Sequence, residues 1–311
     1  MNREKRLVGR GGSVTGRRRF AAGEFAAADL VERKGSKRVS VCLPARNEEA
    51  TVGAIAEVVR TQLMDDLALV DELIVMDDHS TDRTAEVAEA AGATVVACSD
   101  VLAHLGNQPG KGETLWKSLF ASTGDLVVWC DSDVANFGPH FIFGLLGPLL
   151  VDESIGYCKG YYHRPVGADQ RGGGRTTELV ARPLIALLFP ELGGIVQPLA
   201  GEYAGRREVL ERVPFVQGYG VEMGLLIDVC RLAGYSAIAQ VDLGTRVHRN
   251  RPLHELSSQA TEVMQAALHR ADRTLVNTAI TLHRPGFGDT EITMQERPPL
   301  IEVPGYFRQA L

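Results

Sequence analysis

Leu126-Val127-Val128-Trp129-Cys130-Asp131-Ser132-Asp133 decides the fold. Five apolar residues in succession have the length of a strand, and their unbroken hydrophobicity suits one buried on both faces in a parallel sheet. The run breaks at once into Asp-Ser-Asp, with Asn136 and the turn-forming Gly138-Pro139 behind it. Open α/β sheets take ligands outside the carboxyl ends of their strands, so the break delivers two carboxylates to a ligand's place. Crowded carboxylates repel each other, and a divalent cation relieves the repulsion. An isolated Asp-x-Asp is equally open to a plain role, with Asp131 capping the next turn and Asp133 in water. Its neighbours in the chain must choose.

Upstream, three more apolar runs alternate with helical stretches. Val39–Leu43 leads into Pro44-Ala45-Arg46-Asn47-Glu48-Glu49 and a helix to about Met64, for which Asn47 is the expected N-cap. Leu73–Met76 ends in Asp77-Asp78-His79-Ser80-Thr81-Asp82, followed by a helix closing at Gly92. Thr94–Ala97 precedes a polar loop, Gly106 to Gly112, and a helix from about Glu113 to Ser122. This alternation predicts a Rossmann-like α/β sheet, mostly parallel and flanked by helices. Three of its strands end in polar turns on the same edge, the shape of a nucleotide crevice.

The second half changes rhythm. Ile155–Tyr162 alternates as a strand, and Gly172-Gly173-Gly174-Arg175-Thr176-Thr177 feeds a helix to about Phe189. Gly201–Arg207 reads as a polar turn, 221–233 as an apolar helix closed by Gly234, and Ser236–Leu243 as a strand. A long helix is expected over about 253–282. The organisation expected is a mobile basic arm (1–38), a nucleotide-binding half (39–150), a second, partly helical half of the same domain (151–283) and a loose tail (284–311).

Bulk properties narrow the function. Hydrophobic residues are 45% and charged residues 23% of the 311, the proportions of a soluble globular protein. Residues 1–38 hold eleven Lys or Arg against four Asp or Glu, so the net −6 leaves −13 on the remainder. That acidic body argues against nucleic acid as the main partner. No apolar run reaches the roughly 18 residues of a membrane span, and the N-terminus lacks the apolar stretch of a secretory signal. Five scattered cysteines suit reduced thiols, so the expected location is cytoplasmic.

Individual motifs stay two-sided. Lys111, between Gly110 and Gly112, is a cation that can neutralise a diphosphate, yet the loop lacks P-loop spacing. Gly174, Arg175 and Thr177 before a helix make an anion pocket or a surface hinge. Arg164 and the cluster Arg246 to Arg251 add positive charge if they converge there. His248 follows a strand and is either structural or a nitrogen ligand for a metal held by the aspartates.

Taken together, the segments resemble the GT-A glycosyltransferase superfamily, and more narrowly the bacterial glucosyl-3-phosphoglycerate synthases, which act in methylglucose lipopolysaccharide biosynthesis. The likeness runs from about Val39 to His283. It is carried by PARNEE at 44–49, DDHSTD at 77–82, PGKG at 109–112, DSD at 131–133, GGGRTTELVARPL at 172–184, GEYAGRRE at 201–208, GYGVEMGLLID at 218–228 and VHRN at 247–250.

The resemblance implies a GT-A fold and a retaining, metal-dependent transfer of glucose from UDP-glucose to 3-phosphoglycerate. It implies that Pro44, Ala45, Asn47, Glu48 and Ser80 hold uridine and ribose, that Lys111 meets the nucleotide, and that Glu222 binds the glucose hydroxyls. Asp131, Ser132 and Asp133 form the Asp-x-Asp turn, and Asp133 with His248 completes a Mg²⁺ or Mn²⁺ site. Glu222, Asp133 and Lys111 are the implied catalytic set. Arg164, Gly174, Arg175, Thr177 and Asn250 are the implied acceptor pocket, and the assembly implied is a homodimer. Arg46 and His79 carry no implied role. The competing readings are a mannosyl-3-phosphoglycerate synthase using GDP-mannose, an inverting polyprenyl-phosphate glycosyltransferase and a non-catalytic nucleotide-sugar sensor.

Overall fold

A computed structural model describes residues 18–108, 110–164, 174–247, 255–272, 279–283 and 288–306. In chain order the elements begin with β1 (Arg19–Ala21), α1 (Ala27–Lys34), β2 (Val39–Ala45), α2 (Val52–Val58), β3 (Glu72–Asp77), α3 (Thr84–Ala90) and β4 (Thr94–Ala97). Next come α4 (Lys111–Ala121), β5 (Leu126–Trp129), α5 (Pro139–Val151), β6 (Tyr157–His163), α6 (Arg182–Leu188), β7 (Tyr203–Arg206) and α7 (Arg207–Leu210). The chain continues with β8 (Phe215–Val216), α8 (Val221–Ala233), β9 (Ile238–Thr245), α9 (Leu256–Ala271), β10 (Ala279–Leu282), β11 (Thr290–Thr293) and β12 (Glu296–Arg297). α2 runs on as a π-helical turn to Asp65, and another π-helical turn, Thr177–Ala181, precedes α6.

Eight strands form one sheet in the order β1-β9-β6-β7-β5-β2-β3-β4. Every pairing is parallel except those of β7, which runs antiparallel between β5 and β6. The expected mostly parallel α/β sheet is therefore present. β5 shows why its apolar run has no polar face. Leu126, Val128 and Cys130 enter the core on one side of the sheet, while Val127 and Trp129 enter the other with Trp116 and Phe215. Successive side chains alternate faces, and helices cover both. Pro44 sits where its missing N–H does no harm, because the β2–β5 ladder has already stopped at Cys42.

Several expectations need correction. Residues 18–38 are not a mobile arm. β1 pairs with β9, Phe20 and Leu30 are buried, and the Phe25 ring lies against Gly147 of α5. Three large apolar side chains suffice to pin a segment whose composition is otherwise Arg, Gly and Ala. Residues 1–17 lie outside the described part. Residues 288–306, the described part of the tail, are not loose either, since β12 pairs with β8 and Leu300 is fully buried.

Asn47 is not an N-cap. It takes a left-handed φ of 57°, which Asn tolerates better than most residues, and the cap position of α2 falls at Thr51. Lys111 lies in the first turn of α4 rather than in a loop. Gly201–Arg207 contains β7, and the long C-terminal helix stops at Ala271. Beyond it the β-branched residues around Ile280 and Ile292 pair as the β10–β11 hairpin. Of the apolar positions of α9, Ala266 and Ala267 pack into the protein's own core, while Met264 is exposed.

Candidate active site

The carboxyl ends of β2, β5 and β9 and the start of α4 meet around a cavity of about 580 Å³. Pro44, Ala45 and Glu48 come from β2 and the turn beyond it, Asp131, Ser132 and Asp133 from the end of β5, and Lys111 and Glu222 from the first turns of α4 and α8. Arg164, Gly174, Arg175 and Thr177 line the same space. Segments separated by most of the chain are thus brought together as the resemblance implies. His248 and Asn250 lie outside the described residues.

Two implied residues do not line the cavity. Asn47 and Ser80 spend their polar atoms joining the first two turns. The Asn47 amide donates to Ser80 Oγ at 3.0 Å, and the Thr81 amide donates to Asn47 Oδ1 at 2.8 Å. These bonds tie the turn that carries Glu48 to the turn that carries Asp78. Ser132 lines the cavity, but its Oγ donates to the Pro44 carbonyl at 2.8 Å and so ties two strand ends.

The centre of the site is a row of buried charges. Lys111 Nζ lies 2.5 Å from Asp131 Oδ1 and 2.7 Å from Glu222 Oε1. Arg246 Nη2 bridges Asp131 Oδ2 at 2.9 Å and Asp133 Oδ1 at 2.6 Å, while its Nε pairs with Glu202 Oε1 at 3.1 Å. Arg246 is therefore engaged by the aspartates and Glu202 while it lines the same cavity as Arg164 and Arg175. Burial by itself would lower the Lys111 ammonium, but Asp131 and Glu222 hold it well above the usual lysine range. Burial would raise Asp131, and Lys111 with Arg246 instead hold it well below the carboxylate range. Burial, then repulsion from Asp131, raises Asp133 despite Arg246. Burial likewise raises Glu202.

Four carboxylates against Lys111, Arg246 and the neighbouring Arg164 leave one negative charge in surplus. A divalent cation answers that surplus, and the two aspartates already share one guanidinium nitrogen. Among the described residues no group of three or more His, Cys, Asp or Glu is placed to hold a metal ion, and the Asp131–Asp133 turn offers two carboxylates of the kind that Mg²⁺ and Mn²⁺ take. Gly201 makes this packing possible, because a Cβ there would lie 2.1 Å from Asp131 Oδ2.

Beside this row Arg164 stacks on the Tyr162 ring, 4.7 Å from its centroid, and bonds the Tyr162 hydroxyl. That hydroxyl also accepts from Arg246 Nη1 at 3.3 Å, so one phenol spaces the two guanidiniums.

The family model for glycosyl transferase family 2 matches residues 40–213. A glucosyl-3-phosphoglycerate synthase of Mycolicibacterium smegmatis is 48% identical over 282 residues, 88% of this chain and 92% of that protein. The glucosyl-3-phosphoglycerate synthase of Mycobacterium tuberculosis, solved with Mn²⁺, UDP-glucose and phosphoglyceric acid, aligns with a TM-score of 0.81. It shares 45% identity over 89% of this chain and 95% of that one. The same enzyme solved with Mg²⁺ and UDP aligns at 0.81, with 44% identity over 91% and 98% of the two chains. The chain belongs to the glucosyl-3-phosphoglycerate synthase family.

Several residues of this synthase-family site escape sequence reasoning. Asp78 is buried, lines the cavity and accepts from the Gly110 amide at 3.2 Å, while Arg46 Nη1 stands 3.8 Å from it. The acidic turn was a visible signal for Asp78. His79 faces away, bonded to Asp78 and Asn107. Leu256, Gln259, Glu262 and Val263 of α9 form a further wall. Glu262 Oε2 accepts from the Tyr219 amide at 2.6 Å, which fixes the turn before Glu222. No motif marks this helix, because its cavity-facing spacing is that of any amphipathic helix.

Beneath the charge row lies Lys159, which is fully buried. It donates to the Ala200 carbonyl at 2.8 Å, with its Nζ 4.5 Å from the centre of the Tyr203 ring. Burial pushes it down to about 7 from the ordinary lysine value of 10.5. Between those values the folded chain holds fewer protons than the unfolded chain, so this group makes stability rise with pH. Lys159→Met is expected to flatten that rise, seen as a smaller gain in urea midpoint between about pH 7.5 and pH 9.5 than in the parent. Identical gains would show that Lys159 does not titrate in this window.

Proposed function

We propose that this chain transfers glucose from UDP-glucose to 3-phosphoglycerate, with Mg²⁺ or Mn²⁺ held by the Asp131–Asp133 turn and His248. The carrying observation is the convergence, in one cavity, of the Asp131, Asp133 and Glu222 carboxylates with the cations Lys111, Arg164, Arg175 and Arg246. The bound cation would supply positive charge to the diphosphate as the anomeric C–O bond breaks. Lys111, kept protonated by Asp131 and Glu222, stands ready to stabilise the same leaving group. Glu222, fixed by its ion pair with Lys111, orients the sugar hydroxyls. Arg164, Arg175 and the amides around Gly174 hold the carboxylate and phosphate of the acceptor.

Retention by attack on the sugar's front face suits this arrangement. Glu222 and Asp131 are both engaged by Lys111, so neither is an unencumbered nucleophile for an enzyme-bound sugar.

Release of UDP from UDP-glucose with 3-phosphoglycerate and Mg²⁺ tests the reading. Equal or faster product formation from GDP-mannose, or no UDP release at all, would sink it. Arg175→Ala is expected to raise the KM for 3-phosphoglycerate about 10- to 100-fold, as loss of charge-assisted bonds to an anion does, with donor KM little changed. An unaltered acceptor KM would remove Arg175 from the pocket.

We place the protein in the cytoplasm and expect a homodimer. All five cysteines are buried free thiols, in keeping with a reducing compartment. Among the described residues no helix is long and apolar enough to cross a membrane. Leu179 and Leu187, 72% and 78% exposed on neighbouring helical turns, support a contact with a second copy.

A further inference from the structure

The final described stretch of the chain reaches the donor side of the cavity indirectly. In the β12–β8 pair, Glu296 stands opposite Val216 and Arg297 opposite Phe215. The Gln217 amide donates to the Gln295 carbonyl at 3.1 Å. β8 in turn lies against the start of α4, where the Glu113 amide donates to the Gln217 carbonyl at 3.0 Å. One end of β8 therefore leads to Glu222 while its backbone seats the turn that carries Lys111.

Arg297 fastens this arrangement. Its Nε and Nη2 meet Glu113 Oε2 and Oε1 in a two-bonded fork, each at 2.7 Å. Nη1 also donates to the Leu105 carbonyl at 2.8 Å, and Nη2 to that of Gly106 at 3.2 Å. The guanidinium lies 5.3 Å from the centre of the Trp116 ring, and Trp116 Nε1 donates to the Pro298 carbonyl at 3.0 Å. Glu113 is 1% exposed, with further partners in Lys117 at 3.3 Å and Gln217 Nε2 at 3.2 Å. Arg297 does not line the cavity.

We propose that Arg297 is a positioning residue of the donor site. Through Glu113 and β8, the C-terminal strap sets where Lys111 stands relative to Glu222. Glu113 lies two residues beyond Lys111 on the first turn of α4, so any movement that re-solvates its carboxylate carries Lys111 with it. A buried carboxylate that loses its forked partner has strong reason to make that movement. The inference rests on the reading of Lys111 as a donor-side cation.

The test uses the full chain as wild type, Arg297→Met, Arg297→Lys and Glu113→Gln. Steady-state kinetics are measured for each substrate, and UDP affinity is measured by calorimetry with Mg²⁺. Arg297→Met is expected to weaken UDP and raise the UDP-glucose KM by about tenfold while the 3-phosphoglycerate KM stays within about twofold, since a small displacement of one charged group is costly. Arg297→Lys keeps the charge and is expected to recover part of the loss. Glu113→Gln keeps the shape but leaves only one oxygen to accept from Arg297, so it loosens the same fork without burying an unpaired carboxylate and supplies the answer if Arg297→Met does not fold. It is expected to weaken UDP in the same direction.

Folded variants with wild-type UDP affinity and donor KM overturn the proposal, even if their melting temperatures fall. Equal losses for both substrates overturn it too. Wild-type protein that binds UDP but releases none from UDP-glucose would instead sink the transferase reading, so the two failures are distinguishable.

Discussion

Asp133→Ala is expected to lower kcat by about 10²–10³-fold, the cost of removing one preorganised electrostatic group from a site where charge develops. The fold should survive. Asp133 is 32% exposed at its side chain, and Arg246, its ion-pair partner among the described residues, keeps Asp131 and Glu202. The loss is therefore expected in turnover and metal affinity, with little change in the denaturation midpoint. Asp133→Asn should behave alike, since an amide keeps the shape but not the charge that the cation needs. UDP release titrated against Mg²⁺ and Mn²⁺ checks both variants. Turnover within about threefold of the parent would mean that the Asp131–Asp133 turn is not where leaving-group charge is met.

The second large effect is steric. Gly112 lies in the first turn of α4, where an added Cβ would stand 1.6 Å from the Val216 carbonyl oxygen and 2.8 Å from its carbon. Both atoms are backbone, so no rotamer change can make room. Gly112→Ala is expected to cost about 3 kcal/mol, the upper end of overpacking penalties. It should also cost about 100-fold in kcat/KM, because α4 must part from β8 and take Lys111 with it. Gly23→Ala is the matched control, with nothing within 4 Å of the added carbon. Its effect should stay within about 0.5 kcal/mol. Urea midpoints and UDP release on both variants decide the matter. A Gly112→Ala protein as stable and active as Gly23→Ala would show that the α4–β8 contact is looser than described.

These two predictions come from different levels of the molecule. Asp133 is legible in the linear chain, because a run of buried apolar residues ending in two acids announces both the strand and the edge at which it stops. The same logic made Pro44, Ala45, Glu48 and Asp131 readable, since each follows a strand whose hydrophobic pattern is local. Gly112 is legible only as a glycine beside a lysine. Its necessity comes from a carbonyl more than a hundred residues later.

What the sequence by itself determined is therefore the sheet's parallel half, its ligand-binding edge and the acids and cations delivered there. Strand periodicity and turn chemistry act over a few residues and need no partner to be recognised. Only the tertiary structure decided which charges meet. Arg246 closes on Asp131 and Asp133, and α9 walls the cavity with Glu262. β7 enters antiparallel between β5 and β6, and Arg297 returns from the end of the chain to clasp Glu113. A buried ion needs a counter-ion, but nothing in its neighbours along the chain says which one. That choice belongs to the stacking of strands and helices that brings distant segments within reach.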